Sequence, residues 1–336
     1  MIKDFDIFDR FDLFGGGAGS GKRTRYFTEL TAAGSQHYTI PTVTLTGDFE
    51  VEVEFSTTTT TNQILMGDSH AASYYFNFDV SKFTVWIAGI QHNYLHTAYT
   101  PHDGKLHKIK YKLVGTSLEL FLDDISLGSL TVVPYTGSNS FVIGNSNANN
   151  AYFNGIISNV KITDAGTLVR QYDIKETWLN DLVLYDNVND QHGLAVNITS
   201  ADAEKYSFDS VDQAWLGGEL GVNGGFDADT DWTKGTGWTI SGGTASSDGT
   251  QVGDSDLSDA SIVVSGFVYR HRFSIESVSA GGVTPVLGTQ LGTQRTAVGS
   301  YSENITANAT SLINRADLNF VGDIDDVSVK RFIELA

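Results

Sequence analysis

Within GGGAGSGKRT, the residues Gly16-x-x-x-x-Gly21-Lys22 have the spacing of a phosphate-binding P-loop. In that motif backbone N–H groups cradle phosphates and a hydroxyl after the lysine holds Mg²⁺. Here Arg23 stands at the hydroxyl position, the glycines follow an acidic, aromatic stretch, and RYFTELTAAGSQHYTI beyond them lacks a helical pattern. The spacing therefore reads as a coincidence inside a linker. His92, His96, His102 and His107 gather across two expected strands and a turn, without H-E-x-x-H, and read as surface or hydrogen-bonded loop residues, not metal ligands. GDSHA at Gly67 and GNSNA at Gly144 come within one residue of G-x-S-x-G but fall in turns, which gives serine hydrolysis no support. Glu50, Glu52 and Glu54 alternate with apolar residues and read as a solvated outer face.

The elements that must position these residues are strands. In DFEVEVEF, Phe49, Val51, Val53 and Phe55 share one face, which is the pattern of a half-buried antiparallel strand. Similar runs recur as QILMGD, YYFNFDV, FTVWIAGI, HKIKYKLV, SLELFLDDISLGSL, NSFVIGN and IISNVKIT, separated by Gly, Asn, Asp, Thr and Ser turns. Many short strands at near-regular spacing predict sandwiches or barrels. The chain has 336 residues, 35 glycines and no cysteine, so two domains are expected and packing alone must stabilise them. A net charge of −19, with only Lys205 and Lys234 carrying fixed positive charge between Asp181 and Gly266, opposes binding to nucleic acid or anionic lipid. No run is long enough to predict a membrane span.

Residues 1–14 place Phe5, Phe8, Phe11 and Phe14 three apart in a polar frame. They are too few for a core, and the segment reads as an extended docking peptide that becomes ordered on a partner. Residues 15–24 follow as a Gly-rich linker. The N-terminus also lacks the unbroken apolar run of a secretory signal.

GKLHKIKYKLVGTSLELFLDDISLGSL followed by FVIGNSNANNAYFNGIISNVKI resembles the laminin G-like, concanavalin A-like lectin family. The positions that carry the resemblance are Gly104, His107, Leu118, Leu120, Leu122, Asp123, Ile143, Gly144, Phe153, Gly155, Ile156, Val160 and Ile162. One departure is the hairpin turn Asp123-Asp124, where the family uses Asp-Gly. Residues 25–212 are assigned to this sandwich and 213–219 to a linker. Residues 220–336 resemble a carbohydrate-binding-module, or galactose-binding-like, jelly roll. Asn223, Gly225, Phe226 and Asp227 open it, Trp232 and Trp238 follow, and Asp325, Asp326, Val327 and Val329 close it.

The second resemblance implies that opening and closing strands lie close together, tied in many members by a structural Ca²⁺. Its candidate ligands here are Asp227 and Asp326, with Asp325 behind them; hard carboxylate oxygens suit that ion. No other cofactor is implied, and none is required. The paired carboxylates of retaining glycosidases on the lectin-like sandwich, E-x-D-x-x-E, have no counterpart in the sequence. Glycan binding needs aromatic platforms. The candidates are Tyr94 and Tyr99 in the first domain and Trp232, Trp238 and Tyr301 in the second, although both of those tryptophans also suit a core. Trp86, inside an apolar run, reads as core. Asn197, Asn304 and Asn308 match N-x-[ST], which matters only in a eukaryotic secretory setting.

The expected fold is thus all-β, two antiparallel sandwiches behind a docking peptide, and the whole resembles bacteriophage virion fibre and decoration proteins. That resemblance implies a non-enzymatic structural protein in a virion, in several copies, held by its N-terminal peptide to capsid or tail proteins and displaying its sandwiches for attachment to a host surface glycan or receptor. The alternatives are a glycan-binding module of a secreted bacterial system and a glycan-active enzyme. Calorimetry with millimolar Mg-ATP is expected to show no binding heat; saturable binding abolished by Lys22→Ala would overturn the linker reading.

Overall fold

The computed structural model describes residues 24–68, 74–95, 99–145, 151–173, 183–198 and 203–336. Every regular element among them is a strand, and none is a helix. The docking peptide and residues 15–23 lie outside the described residues.

In the first sandwich one sheet runs, in spatial order, Ile125–Thr131, Ser117–Leu122, His107–Val114, Phe49–Ser56 and Gly155–Asp164. The last of these also pairs with Thr167–Asp173 and with Thr24–Leu30. The facing sheet runs Ile90–Leu95, Lys82–Ile87, Tyr74–Phe78, Gln63–Asp68, Phe141–Ile143, His37–Thr39 and Gly193–Val196. Phe49, Val51, Val53 and Phe55 are buried in one core with Phe76, Phe78, Phe83, Tyr111 and Phe141.

The opposite face of strand Phe49–Ser56 explains its register. Glu50, Glu52 and Glu54 stand across from Lys112, Lys110 and Lys108, and Glu52 is also across from Lys161, 3.1 Å away. Arg25 reaches Glu54 at 2.7 Å. Opposite charges directly across an antiparallel pair are worth about 0.2–1 kcal/mol each. A one-residue slip would turn all three glutamates into the core.

The hairpin at Asp123-Asp124 has φ of 52° and 65°. Two left-handed residues in a two-residue loop are the mark of a type I′ turn, which normally recruits glycine. Asp123 offsets this strain with its carboxylate: Oδ1 accepts the Lys108 N–H and Oδ2 bonds His107 Nδ1, both at 2.8 Å.

In the second sandwich, one sheet runs Trp238–Ser241, Thr244–Asp248, Val321–Glu334, Val268–Ala280 and Gly299–Thr306. It faces Thr233–Lys234, Ser255–Asp259, Leu312–Ala316, Val283–Leu287 and Gln290–Leu291. The opening loop does lie against the closing strand. Val327 N–H donates to the Gly224 carbonyl at 2.9 Å, and a Cβ on Gly224 would fall 1.8 Å from the Val327 carbonyl oxygen, so only glycine permits the approach.

The two sandwiches share backbone. Strand Val321–Glu334 pairs at its far end with Ala214–Glu219, which pairs with Ala203–Asp209, which pairs with Thr24–Leu30. Residues 213–219, expected to be a linker, are thus mostly a strand, and the sheet runs unbroken from one sandwich into the other. The physical reason is apolar content: Ala214 is fully buried, and Trp215 packs on a separate small cluster of Phe27, Leu106, Ile156, Tyr206 and Ile333.

Ion pairs flank this seam. Arg331 reaches Glu29 at 2.6 Å and lies 3.7 Å over the Phe267 ring. Arg270 reaches Asp209 at 2.9 Å and Asp212 at 2.6 Å and covers Phe332. Both guanidinium groups are nearly inaccessible to solvent. Arg331→Met is expected to cost about 1–2 kcal/mol in urea unfolding, chiefly through the lost cation–π contact with Phe267, since Glu29 is left near solvent. Because one strand serves both cores, calorimetry of the full chain should give one endotherm; two well-separated endotherms would show that the seam does not couple them.

Candidate functional site

The expected glycan platforms divide by burial. Tyr94 is core, its hydroxyl donating to the Leu118 carbonyl at 2.6 Å. Trp232 and Trp238 are core as well, with their indole N–H groups on the Asn223 and Ser255 carbonyls. None of these three rings presents a face to a sugar. They are inward-facing because their polar ends find carbonyl partners, which removes the cost of burying them. Tyr99 is half-buried against the first core. Tyr301 is half-exposed, but the Arg295 guanidinium lies 5.0 Å over its ring and its hydroxyl is bound to the Ala297 carbonyl.

The acidic residues near the closing strand come together without converging. Asp227 and Asp326 are exposed and Asp325 is partly buried. Burial, then the negative charges of Asp326, Glu276 and Asp227, raise the Asp325 carboxyl above its usual range. Among the described residues no three Asp, Glu or His side chains are arranged to hold a metal ion. The φ of 52° at Asp326 turns that residue within a strand, and its own N–H is taken by the Asp325 carboxylate.

Of the four clustered histidines, His96 lies outside the described residues and His92 is partly buried, with burial lowering its pKa. His107 is different. It is buried between Asp103, 2.9 Å from Nε2, and Asp123, 2.8 Å from Nδ1. Burial opposes its charge, but hydrogen bonds to both carboxylates and their negative fields outweigh that and raise it to about 9. His107 is therefore a charged clamp between the Asp123 turn and the Asp103 loop. Neighbouring Lys105 and Leu106 meet the chain's end: Lys105 pairs with Glu334 at 3.1 Å, and the Leu106 N–H donates to the Glu334 carbonyl.

His271 is the opposite case. It is buried within the second sandwich with neither ring nitrogen hydrogen-bonded, and desolvation lowers it to about 3.

The solvent side of the facing sheet carries what the sequence reading missed. Trp86 is half-exposed there, not core. In KFTVWI, Phe83, Val85 and Ile87 point inward, which leaves Thr84 and Trp86 on the outer face, where Thr84 is nonetheless buried. Strict alternation within that short run was the available signal; its apolar composition hid it. Across the sheet Trp86 stands opposite Gln91, and Thr84 opposite Asn93 and Asn77. Thr84 Oγ1 and Gln91 Nε2 both donate to Asn93 Oδ1, at 2.9 and 3.0 Å. Asn77 Nδ2 donates to Asn62 Oδ1 at 2.5 Å.

An antiparallel sandwich with a polar outer face over one sheet is the architecture of a lectin-like domain. Residues 32–168 match the family described as the concanavalin A-like lectin/glucanases superfamily, and this sandwich is accordingly similar to concanavalin A-like, laminin G-like domains. No curated protein sequence matches the chain. Among solved structures, domains LG4–5 of the mouse laminin α1 chain are 10% identical with a TM-score of 0.36, over 94% of this chain and 83% of that one. The heptameric SAP-like pentraxin of Limulus polyphemus is 10% identical with a TM-score of 0.31, over 44% and 72%. A GlcNAcα1-4Gal-releasing endo-β-galactosidase from Clostridium perfringens is 12% identical with a TM-score of 0.23, over 62% and 64%.

The two buried histidines give opposite pH dependences. His107 is charged when folded, so its contribution is complete below the unfolded pKa of about 6.5 and disappears as pH rises through about 9. His271 is neutral when folded, so its contribution is complete above about 6.5 and falls away as pH drops toward 3. Melting curves from pH 4 to pH 10, as rough limits, should show His107→Gln flattening the alkaline limb and His271→Phe flattening the acid limb. Parallel wild-type and variant profiles would mean that neither ring titrates as described.

Proposed function

We infer that this chain is a non-catalytic, glycan-binding attachment protein of a virion, present in several copies and held to capsid or tail proteins through residues 1–14. The observation that carries the glycan-binding part is the lectin-like sandwich matched over residues 32–168. Glu52 and Glu54 are each engaged by a cation on the outer ladder, Lys161 and Arg25 respectively, a structural use for both carboxylates.

Support for display comes from the shared closing strand. Binding faces on sandwiches joined through one sheet keep their separation, a favourable condition for multivalent attachment. The anchor is a matter of sequence: burying a phenylalanine is worth about 1.5–3 kcal/mol, so Phe5, Phe8, Phe11 and Phe14 together could hold a subunit even after the cost of ordering the peptide.

Deletion of residues 2–23 is expected to leave β-type circular dichroism and melting unchanged while abolishing incorporation into particles. The same residues fused to an unrelated soluble domain should confer incorporation. Equal assembly of the truncated and full chains would move attachment to a sandwich face and sink the docking-peptide proposal.

A further inference from the structure

We propose that strand Ile90–Leu95 is an association edge, which pairs antiparallel with the same strand of a second copy of this chain about a two-fold axis. The inference goes beyond the reading above and depends neither on glycan binding nor on residues 1–14.

Ile90–Leu95 is the last strand of its sheet. It pairs with Lys82–Ile87 in unbroken register over all six residues, and among the described residues no strand pairs with its other side. Such an edge presents a row of unmatched N–H and C=O groups, a template for another chain. Folded proteins shield their edges with charge, proline, a bulge or brevity. Other edges of this chain are shielded in these ways. In the second sandwich Trp238–Ser241, Thr233–Lys234 and Gln290–Leu291 are four residues long or less, and Gly299–Thr306 carries Glu303. In the first sandwich Ile125–Thr131 is broken by a bulge opposite Leu120 and Phe121, and Ser126 Oγ accepts the Gly128 N–H at 3.2 Å. The sequence IQHNYL of Ile90–Leu95 has neither a fixed charge nor a proline, and its register has no bulge.

The occupant follows from charge. With −19 on each chain, two copies repel wherever their acidic surfaces meet. Residues 83–102 and 125–160 contain no Asp, Glu, Lys or Arg. Those two runs supply Ile90–Leu95 and the Ile125–Thr131 edge beside it, so a second copy can approach this side of the sandwich without repulsion. A cationic partner would find its complement elsewhere on the chain, whereas an uncharged edge is complementary to itself. His92 is partly buried, which lowers its pKa and favours the neutral ring. Apolar side chains are also exposed here: Leu95 at 70%, Ile125 at 51% and Ile90 at 46%. Lys82 stands across from Leu95, one strand in from the edge.

A two-fold axis uses one strand twice and closes at two copies. Six paired residues fall short of the roughly 1,200 Å² that a stable interface buries. The pair is therefore weak and concentration-dependent, and copies held close together would raise its occupancy.

The test is sedimentation velocity of the full chain from about 1 to 200 μM, a span that brackets a weak interface, in low and in high salt. The dimer is expected to grow with concentration and with salt, because salt screens the net repulsion between chains. Asn93→Asp is the decisive variant. Asn93 is exposed, and its Oδ1 accepts from Thr84 Oγ1 and Gln91 Nε2 at 2.9 and 3.0 Å, bonds that a carboxylate also accepts. The melting temperature should stay unchanged while dimerisation weakens roughly tenfold, since like charges then meet across the axis. Ile90→Glu should act in the same direction. Because the chain has no cysteine, Asn93→Cys carries a single thiol. A short bis-maleimide should join two copies through it, but not through Val252→Cys, a control at a 97% exposed position of the second sandwich.

A wild type that stays monomeric throughout would overturn the inference and leave the glycan-binding and docking-peptide readings standing. A dimer that persists in both Asn93→Asp and Ile90→Glu and is not joined through Asn93→Cys would overturn it as well; loss of that dimer on deleting residues 2–23 would assign the contact to the N-terminal peptide. Dissociation in high salt would mean ion pairing at another surface, against an uncharged edge.

Discussion

The pairing of Ala214–Glu219 with the end of strand Val321–Glu334 is the contact on which the rest of the molecule depends. The same strand supplies Ile324, Val327 and Val329 to the second core and Ile333 to the cluster with Phe27 and Tyr206. Each of those side chains is positioned by backbone that the other sandwich also uses. Displacing the strand would open a second-sandwich sheet at its centre, because it lies between Thr244–Asp248 and Val268–Ala280. It would also leave Ala203–Asp209 and Ala214–Glu219 as an outlying hairpin. Exposed strand edges of that kind invite association with other chains.

The seam also accounts for where an acidic chain puts its scarce cations. Arg270 and Arg331 are buried on the closing strand and its neighbour, each paired with carboxylates that precede the second sandwich in the sequence and each laid over an aromatic ring. Buried ion pairs add little net stability, because desolvation offsets their attraction. They are severe about register. Any shift of the closing strand would leave a guanidinium enclosed without its partner, so these residues fix which backbone positions meet, while Phe27, Tyr206 and Ile333 supply the apolar drive. Away from the seam the same economy holds: Lys161 answers Glu52, and Arg315 answers Asp256 at 2.7 Å.

What could be read in the sequence was local. Period-two alternation in DFEVEVEF identified both the core face and the glutamate face, because hydrophobicity and charge gave the same answer there. The opening and closing motifs of the second sandwich were legible as a pair, and Gly224 shows why: its lack of a side chain is a direct requirement of the strand it touches. The seam was not legible. AWLGGE is short and glycine-bearing, and nothing within it specifies a partner more than a hundred residues away, as Ala214 opposite Glu334 requires. Trp86 was missed for a related reason, since its neighbours Val85 and Ile87 make the run look wholly apolar. Tyr94 failed as a platform because its polar end is answered by the Leu118 carbonyl, a distant acceptor that no residue spacing announces.

The chain's two described ends lie in one sheet: Thr24–Leu30 is linked through Ala203–Asp209 and Ala214–Glu219 to the last strand. For a protein made from its N-terminus onward, that arrangement orders events on the ribosome. The lectin-like core can assemble early, but the hairpin beside it waits for residues 330–334, made more than a hundred residues later. Until they arrive the seam is a bare sheet edge on which chaperones and proteases can act.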